Sequence, residues 1–534
     1  MKEAFEEADL KEEEILGNKE NKETRQSFKI LYFILGIFFL IFVISIIAII
    51  TRNKKDDKES IINTNTFSEI ICIYNFKEKD NIQIIGTEFK NHTNIDILIN
   101  GENTAFSHII SVKSIGNYEI KYIIYGDEIN MDYMFKDIDS LVSVKLKTNN
   151  TIYITSMIST FQNCQNLIIF ENEGFNFNKV ASMHKLFYKS NLSNLKKIEI
   201  NAENLTDISY LFASTKITEI NIILVNSNKL QNLSFMFYNA KYLTRYKVSE
   251  LNLANINSIS HLFDNCISLT SSNINFVKNN NIEDMSYLFH NCISLESIEY
   301  SEINTYYVKD MSYMFNNCKK LLYLDLSNFK TDNLLNISYM FNDCSMLKGI
   351  KLPNFNSENI VNMSHCFSNC QKLNNIYINT LEMKKLKDIS YMFYNCESLT
   401  NIDISNINTK QVINFSHMFS ECKSLEFLDI SNFNTESAED LSFMFKGCFY
   451  LKNLKLNFNT KKVKDMSSMF QYCKHLNFLD LSQFDTSQVL SMSFMFDNCN
   501  SLKSLNNINF NLEKVKTTSY MFHNCYLLSS LSFF

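Results

Sequence analysis

The chain has 534 residues, 46% hydrophobic and 20% charged, with a formal net charge of −6. This composition suits a packed protein, and so mild an acidity excludes the strong positive field that binding to nucleic acid or an acidic membrane surface would need. Nine Gly, one Pro and no Trp are low counts, and the abundance of Asn, Ile and Lys carries no functional reading.

Residues 1–29 read as an acidic, solvated tail. Residues Ile30 to Ile50, ILYFILGIFFLIFVISIIAII, form an uncharged run. At about 1.5 Å per residue, a helix of this length spans about 31 Å, enough to cross a bilayer core. A signal peptide would have a shorter leading region and a small-residue cleavage site, which is missing after Ile50. A retained transmembrane helix is therefore predicted. Lys19, Lys22, Arg25 and Lys29 before it balance Arg52, Lys54, Lys55 and Lys58 after it, so the positive-inside count is a tie. The larger C-terminal part is the natural candidate to lie outside, giving a single-pass type II protein of the plasma membrane.

Residues 51–65 read as a polar juxtamembrane linker. Within 66–128, IICIYNF, NIQIIG, IDILIN, HIISVK and YEIKYIIYG are short β-branched runs with polar or Gly punctuation. They predict a small β-sandwich-like domain, immunoglobulin-like or an N-terminal cap, that covers the first coil of a downstream solenoid. A set of degenerate repeats is the other reading.

From 129 to 534 the chain is periodic. Phe returns sixteen times between Phe135 and Phe522, at steps of 25 or 26 residues, and a Cys stands three residues after most of them. Such a period marks a solenoid in which each repeat buries its apolar face against its neighbours. In Asp310 to Thr331, DMSYMFNNCKKLLYLDLSNFKT, Met311, Met314, Phe315 and Cys318 stand at i, i+3, i+4 and i+7. That spacing predicts a short helix, capped by Asp310 or Ser312. Leu321, Leu324 and Leu326 then follow L-x-x-L-x-L, and Phe329 returns to the core. The predicted fold is an α/β solenoid of about 16 coils, with a parallel β-sheet on one face and short helices on the other.

These residues resemble the 26-residue leucine-rich repeats of BspA-like surface proteins, also described as the mycoplasma-type surface-protein repeat. The pattern stands almost whole at Phe433–Met444, Phe458–Leu481 and Phe484–Phe496. The resemblance covers about 130–534 and implies a non-catalytic cell-surface protein, often tied to adhesion or host interaction. Ile138, Ser190, Thr215 and Ala240 depart from it at the Cys position.

Twelve Cys occupy the repeat position, while Cys72 and Cys366 stand apart. One thiol per level fits no usual metal set, and an internal rung has two equivalent neighbours, so buried packing thiols are expected. Of eight N-x-S/T sequons, Asn232, Asn336, Asn362 and Asn414 fall where other copies carry Asp284, Asp388 and Asp465, and read as caps. Asn91, Asn149, Asn191 and Asn204 remain as glycosylation candidates. His261, His365 and His417 share the place of Tyr313 and read as a solvated helix face.

No phosphate-binding, nucleophile-elbow or zinc-protease motif occurs. No enzyme activity, cofactor or metal is expected. The candidate partner-binding face is the outward side of the strands: Tyr323 and Asp325, Phe427 and Asp429, Phe478 and Asp480. Asp in L-D-L could equally serve to keep that face soluble. The expected partner is a protein or cell-surface ligand. The rival reading is a structural surface rod or intracellular scaffold without a specific ligand. Leu528, Leu531, Phe533 and Phe534 bring no polar closing cap, so the expectation is either self-association through the last coil, or a chain that continues further, or fraying of that coil.

Overall fold

A computed structural model describes residues 68–529 apart from 92, 149–150, 250, 276–280, 302–303, 357, 379–382 and 507–509. The tail, the apolar run Ile30–Ile50, the linker 51–65, and Leu531, Phe533 and Phe534 lie outside the described residues. Among the described residues, no helix is long and apolar enough to cross a membrane.

The β-branched runs after residue 67 form strands β1 (Ser68–Phe76), β2 (Asp80–Gln83), β3 (Ile95–Ile99), β4 (Glu102–Thr104), β5 (Ile109–Val112), β6 (Gly116–Ile124) and β7 (Glu128–Asn130). β8 (Leu141–Thr148), β9 (Tyr153–Ser156) and β10 (Ile169–Glu173) come next. One six-stranded sheet runs in the order β10-β8-β1-β6-β3-β4. Within it β1 is antiparallel to both β6 and β8, and β8 is parallel to β10. The antiparallel N-terminal strands thus continue edge to edge into the parallel strands of the first coils, so no backbone edge is left open between them. The loop after β2 also seats on the first coil. The Gly86 amide donates to the Met134 carbonyl at 2.8 Å. A Cβ on Gly86 would lie 2.1 Å from the Tyr133 carbonyl oxygen, so only glycine permits this approach.

Among the described residues the predicted short helices are absent; the solenoid is built of strands and stacked turns. In the coil around Phe315, the amides of Met311, Tyr313, Phe315 and Asn317 leave their own coil. They donate to the carbonyls of Asn336, Ser338, Met340 and Asn342 in the next one, at 2.8–3.0 Å. The intervening amides of Met314, Asn316 and Cys318 donate three residues back. A helix needs every amide to bond four residues back at negative φ. Here Tyr313 and Asn317 sit at φ 57 and 63, in the left-handed region. The physical reason is pitch. Parallel strands stack about 4.8 Å apart, whereas a helix is about 10 Å across. A helix on every coil would make the back of the stack splay and curve, as in horseshoe-shaped repeats; here the Phe rings at the back stay 5.2–5.9 Å apart, and alternate amides form the rungs between coils.

Side chains form columns along the stack. The Phe column is unbroken from Phe135 to Phe522, with consecutive ring centroids 5.2–5.9 Å apart and planes within 14°. Each fully buried ring contributes about 1.5–3 kcal/mol of burial, and each contact about 0.5–1.5 kcal/mol more. The residue at the place of Asp310, Asp or Asn in most coils, bridges to its counterparts in a continuous run from Ser258 to Thr517. Asp310 Oδ1 accepts the Ser312 amide at 2.7 Å, so the residue expected to cap a helix closes a turn.

Candidate functional site

Strands such as Tyr323–Asp325, Phe427–Ile430 and Phe478–Asp480 turn alternate side chains to solvent and core. Leu324 and Leu326 are buried, while Tyr323 is 65% exposed, Phe427 50% and Phe478 49%. The six candidate face residues therefore point outward, but not as one patch. The parallel register runs Tyr323 to Gly349, Asn375 to Asn401, Phe427 to Asn453 and Phe478 to Ser504. Polar or small residues thus separate the aromatics. Tyr323 lies over Gly349, where an added Cβ would meet its ring at 3.4 Å.

The carboxylates are occupied in the scaffold. Asp325 Oδ1 accepts both the amide and the hydroxyl of Ser327, at 3.0 and 2.6 Å. Lys351 of the next coil donates to its other oxygen at 2.8 Å. The Lys351 ammonium, then the Ser327 donors, draw the Asp325 carboxyl down to about 2. Asp429 repeats this with Ser431 and Lys455, and Asp480 with Ser482. In L-D-L-S the Asp is a turn-former that ends the strand. Exposed ion pairs of this kind add little stability.

Tyr377, 63% exposed on the Asp column of the same face, was missed by reading only L-D-L copies. Aligning all coils by their Phe would have shown it. Next in sequence after the strand Phe427–Ile430, residues Ser431 to Glu436, with Asn459, Lys461 and Asp485, line an open polar groove of about 480 Å³. Among the described residues, no group of three or more His, Cys, Asp or Glu is placed to hold a metal ion.

The histidines do not form a solvated helix face. Tyr210, Phe235, His261, Tyr287, Tyr313, Tyr339, His365, Tyr391, His417 and Phe443 make a second aromatic column. Their centroids lie 4.2–4.6 Å apart with planes within 10°. Burial lowers the His365 and His417 imidazoles, the latter to about 4, so both are neutral planks at pH 7. His261 Nδ1 and His290 Nδ1 each lie 2.7 Å from the buried Asp264 carboxylate. The signal was present in the sequence: Tyr, His or Phe recurs two residues before the repeat Phe.

All described cysteines are free thiols, buried except for half-buried Cys525. Among the sequons, Asn91 is exposed and Asn149 lies outside the described residues. Asn191 is partly buried, and its Oδ1 accepts the Ser193 amide. Asn204 donates its Nδ2 to the Asn178 carbonyl at 2.7 Å.

Stacked coils with inward L-x-x-L-x-L leucines, parallel bridges and turn-built backs define a β-solenoid that resembles leucine-rich repeat proteins. The chain belongs to the family described as "Mycoplasma protein of unknown function, DUF285". That family's pattern matches residues 103–222, 155–275, 231–355, 257–380, 346–453 and 416–531, which is consistent with the BspA-like repeat type. Solved structures similar to this chain include a leucine rich cell surface protein from Faecalibacterium prausnitzii A2-165. It has 15% identity and a TM-score of 0.29, covering 62% of this chain and 82% of that one. A leucine-rich repeat protein from Eubacterium ventriosum ATCC 27560 has 13% identity and a TM-score of 0.24, covering 73% and 92%. The TLR13–ssRNA13 complex has 15% identity and a TM-score of 0.19, covering 74% and 78%. No curated protein matches the chain.

Proposed function

We propose that this chain is a non-catalytic cell-surface recognition or adhesion protein, anchored by Ile30–Ile50 with the repeats outside. The observation that carries the reading is the strand face. The same strands that keep leucine inward in coil after coil hold Tyr323, Tyr377, Phe427 and Phe478 exposed at positions that vary between coils. Aromatics of this kind dominate interface energetics, and the variable positions are where specificity can reside.

The rival, a surface rod or intracellular scaffold, draws on a different observation: Asp325, Asp429 and Asp480 serve turns and inter-coil pairs. Protease treatment of intact cells separates the placements, since loss of the repeats means an outside location and full protection an inside one. Beads coated with the full chain should adhere to cell surfaces, and the Phe427→Ser/Phe478→Ser chain should adhere several-fold less. Equal adherence by the two would reject the strand face as the binding surface.

A further inference from the structure

The exposed rings of the strand face recur at a fixed step. Tyr323, Tyr377, Phe427 and Phe478 stand outward on the strands Tyr323–Asp325, Asn375–Tyr377, Phe427–Ile430 and Phe478–Asp480. The coils between them put Gly349 with Lys351, Asn401 with Asp403, and Asn453 with Lys455 at the same two outward places. A ring therefore stands on every second coil from Tyr323 to Phe478. At a coil step of about 4.8 Å, successive rings lie about 9.6 Å apart along the stack. Tyr377 sits two residues further along its strand than the others, a sideways step of about 6.6 Å.

Polar groups fill the intervals. Asn401 Nδ2 donates to Asn375 Oδ1 at 2.7 Å, which leaves the Asn375 N–H groups and the Asn401 oxygen facing a ligand. The Ser431 hydroxyl, bonded to Asp429 at 2.7 Å, joins the face to the polar groove that Ser431 lines. Asn457 and Gln483 line the same groove, both exposed, and their side-chain amides have no hydrogen-bond partner among the described residues. The face holds no block of one charge. Asp325 pairs with Lys351 at 2.8 Å and Asp429 with Lys455 at 3.3 Å, while Asp403 and Asp480 accept from Ser405 and Ser482. Such a surface complements an uncharged partner.

The face of an aromatic ring is the negative part of its quadrupole and attracts C–H groups. An amide offers two donors and an acceptor. Rings and amides that alternate at one step suit a ligand that itself repeats, with C–H faces for the rings and hydroxyls for the amides. A protein surface has no such repeat, and interface hot spots cluster near a centre instead of running in file. In an extended β-1,4-linked sugar chain, one disaccharide restores the orientation of the ring, and its length is close to two coil steps, about 9.6 Å. We propose that the strand face binds a neutral, extended β-1,4-linked polysaccharide laid along the solenoid axis, one disaccharide to each ring from Tyr323 to Phe478. Each stacking contact is weak alone, and the file of rings engages one chain together. The proposal rests on the recognition reading of this face and names the partner's chemistry.

The test uses the full chain in lipid nanodiscs and saturation-transfer NMR on cellohexaose and chitohexaose. Maltohexaose, α-linked and coiled, is the control. A β-linked hexamer should take up saturation on its ring protons and titrate to a plateau, and maltohexaose should not. Tyr377→Ser and Phe427→Ser should each weaken binding several-fold. Tyr242→Ser, at an exposed ring outside the strands, should leave it unchanged. Phe427→Asn/Asn453→Phe keeps the composition of the face and moves one ring by one coil, and should weaken binding as much as Phe427→Ser. No saturable binding of either β-linked hexamer, equal binding of maltohexaose, or full binding by the shifted double variant would each overturn the proposal. Cell adhesion that depends on Phe427 and Phe478 without hexamer binding would mean a protein partner, overturning the proposal and leaving the recognition reading standing.

Discussion

The Cys344 thiol donates to the backbone carbonyl of Phe315 in the preceding coil, with Sγ and O 3.1 Å apart. The same carbonyl already accepts the Cys318 amide, so the thiol uses its second lone pair. This contact recurs from Cys164 to Cys525. Ser190 supplies a hydroxyl to Phe161 in the same way. Cys344→Ala should therefore cost about 1 kcal/mol or somewhat more, from the lost bond and a small void. Cys344→Ser should retain the bond. Urea unfolding of the two variants checks this, and equal losses would show that only volume matters.

Thiol reactivity should follow burial. Burial pushes the Cys344 and Cys396 thiols up to about 12, and half-buried Cys525 only to about 11. A disulfide reagent added to the folded protein at pH 8 should modify Cys525 first. The remaining described thiols should react only on unfolding, since the thiolate is the reacting species. Peptide mapping reads the order directly.

His417 gives the stack an acid limit. Its folded value of about 4 lies below the usual 6.5. The unfolded chain therefore binds the proton more readily, and stability falls as pH drops. The contribution is fully present above about pH 6.5 and lost as pH falls through about 4. After discounting for partial exposure, it is about 1–2 kcal/mol. His417→Phe keeps a ring between Tyr391 and Phe443 and should flatten that part of the pH–stability curve. Melting temperatures from pH 7 to pH 4 test it.

Left-handed positions should reject β-branched residues. Asn317 sits at φ 63 and donates its side-chain amide to Asn291 Oδ1 at 2.5 Å. Asn317→Val should cost about 2–3 kcal/mol, combining the left-handed strain with the lost bond. Asn317→Gly relieves the strain and should cost less. A Val variant as stable as the Gly variant would contradict a left-handed backbone at this position.

Glycan occupancy should split the candidates. In a eukaryotic secretory host, Asn91 should be occupied and Asn204 should not, because the Asn204 nitrogen that would carry the sugar is bonded to Asn178. Mass spectrometry of the secreted ectodomain gives the answer, and a modified Asn204 would reverse it.

The core was legible in the sequence, since periodic Phe315, Leu321, Leu324 and Leu326 can only be buried together. The back of each coil was not. Met311, Met314, Phe315 and Cys318 fit a helical face, but the same spacing serves a turn chain whose alternate amides leave the coil. The discriminating residues were polar ones between them. Asn317, Asn291, Asp343 and Gly447 share a column rich in types that tolerate positive φ and lacking β-branched residues. The strand face was half legible. Alternation placed Tyr323 and Phe427 outward, but Asp325 and Asp429 looked like surface carboxylates until their serine partners, two residues on, showed them closing turns. The aromatic column through Tyr313 and His417 depends on neighbours 26 residues away, which inspection of a single repeat cannot supply.

The forward-pointing amides of each coil also give the stack a mechanical character. Because a coil bonds only to the one before and the one after, tension applied along the solenoid axis loads one set of rungs at a time. It peels coils in turn instead of breaking the domain at once. Each released coil pays out about 90 Å of extended chain in place of a pitch of about 5 Å. A tether made this way yields in small steps, with the stacked phenylalanine rings setting the force needed for each.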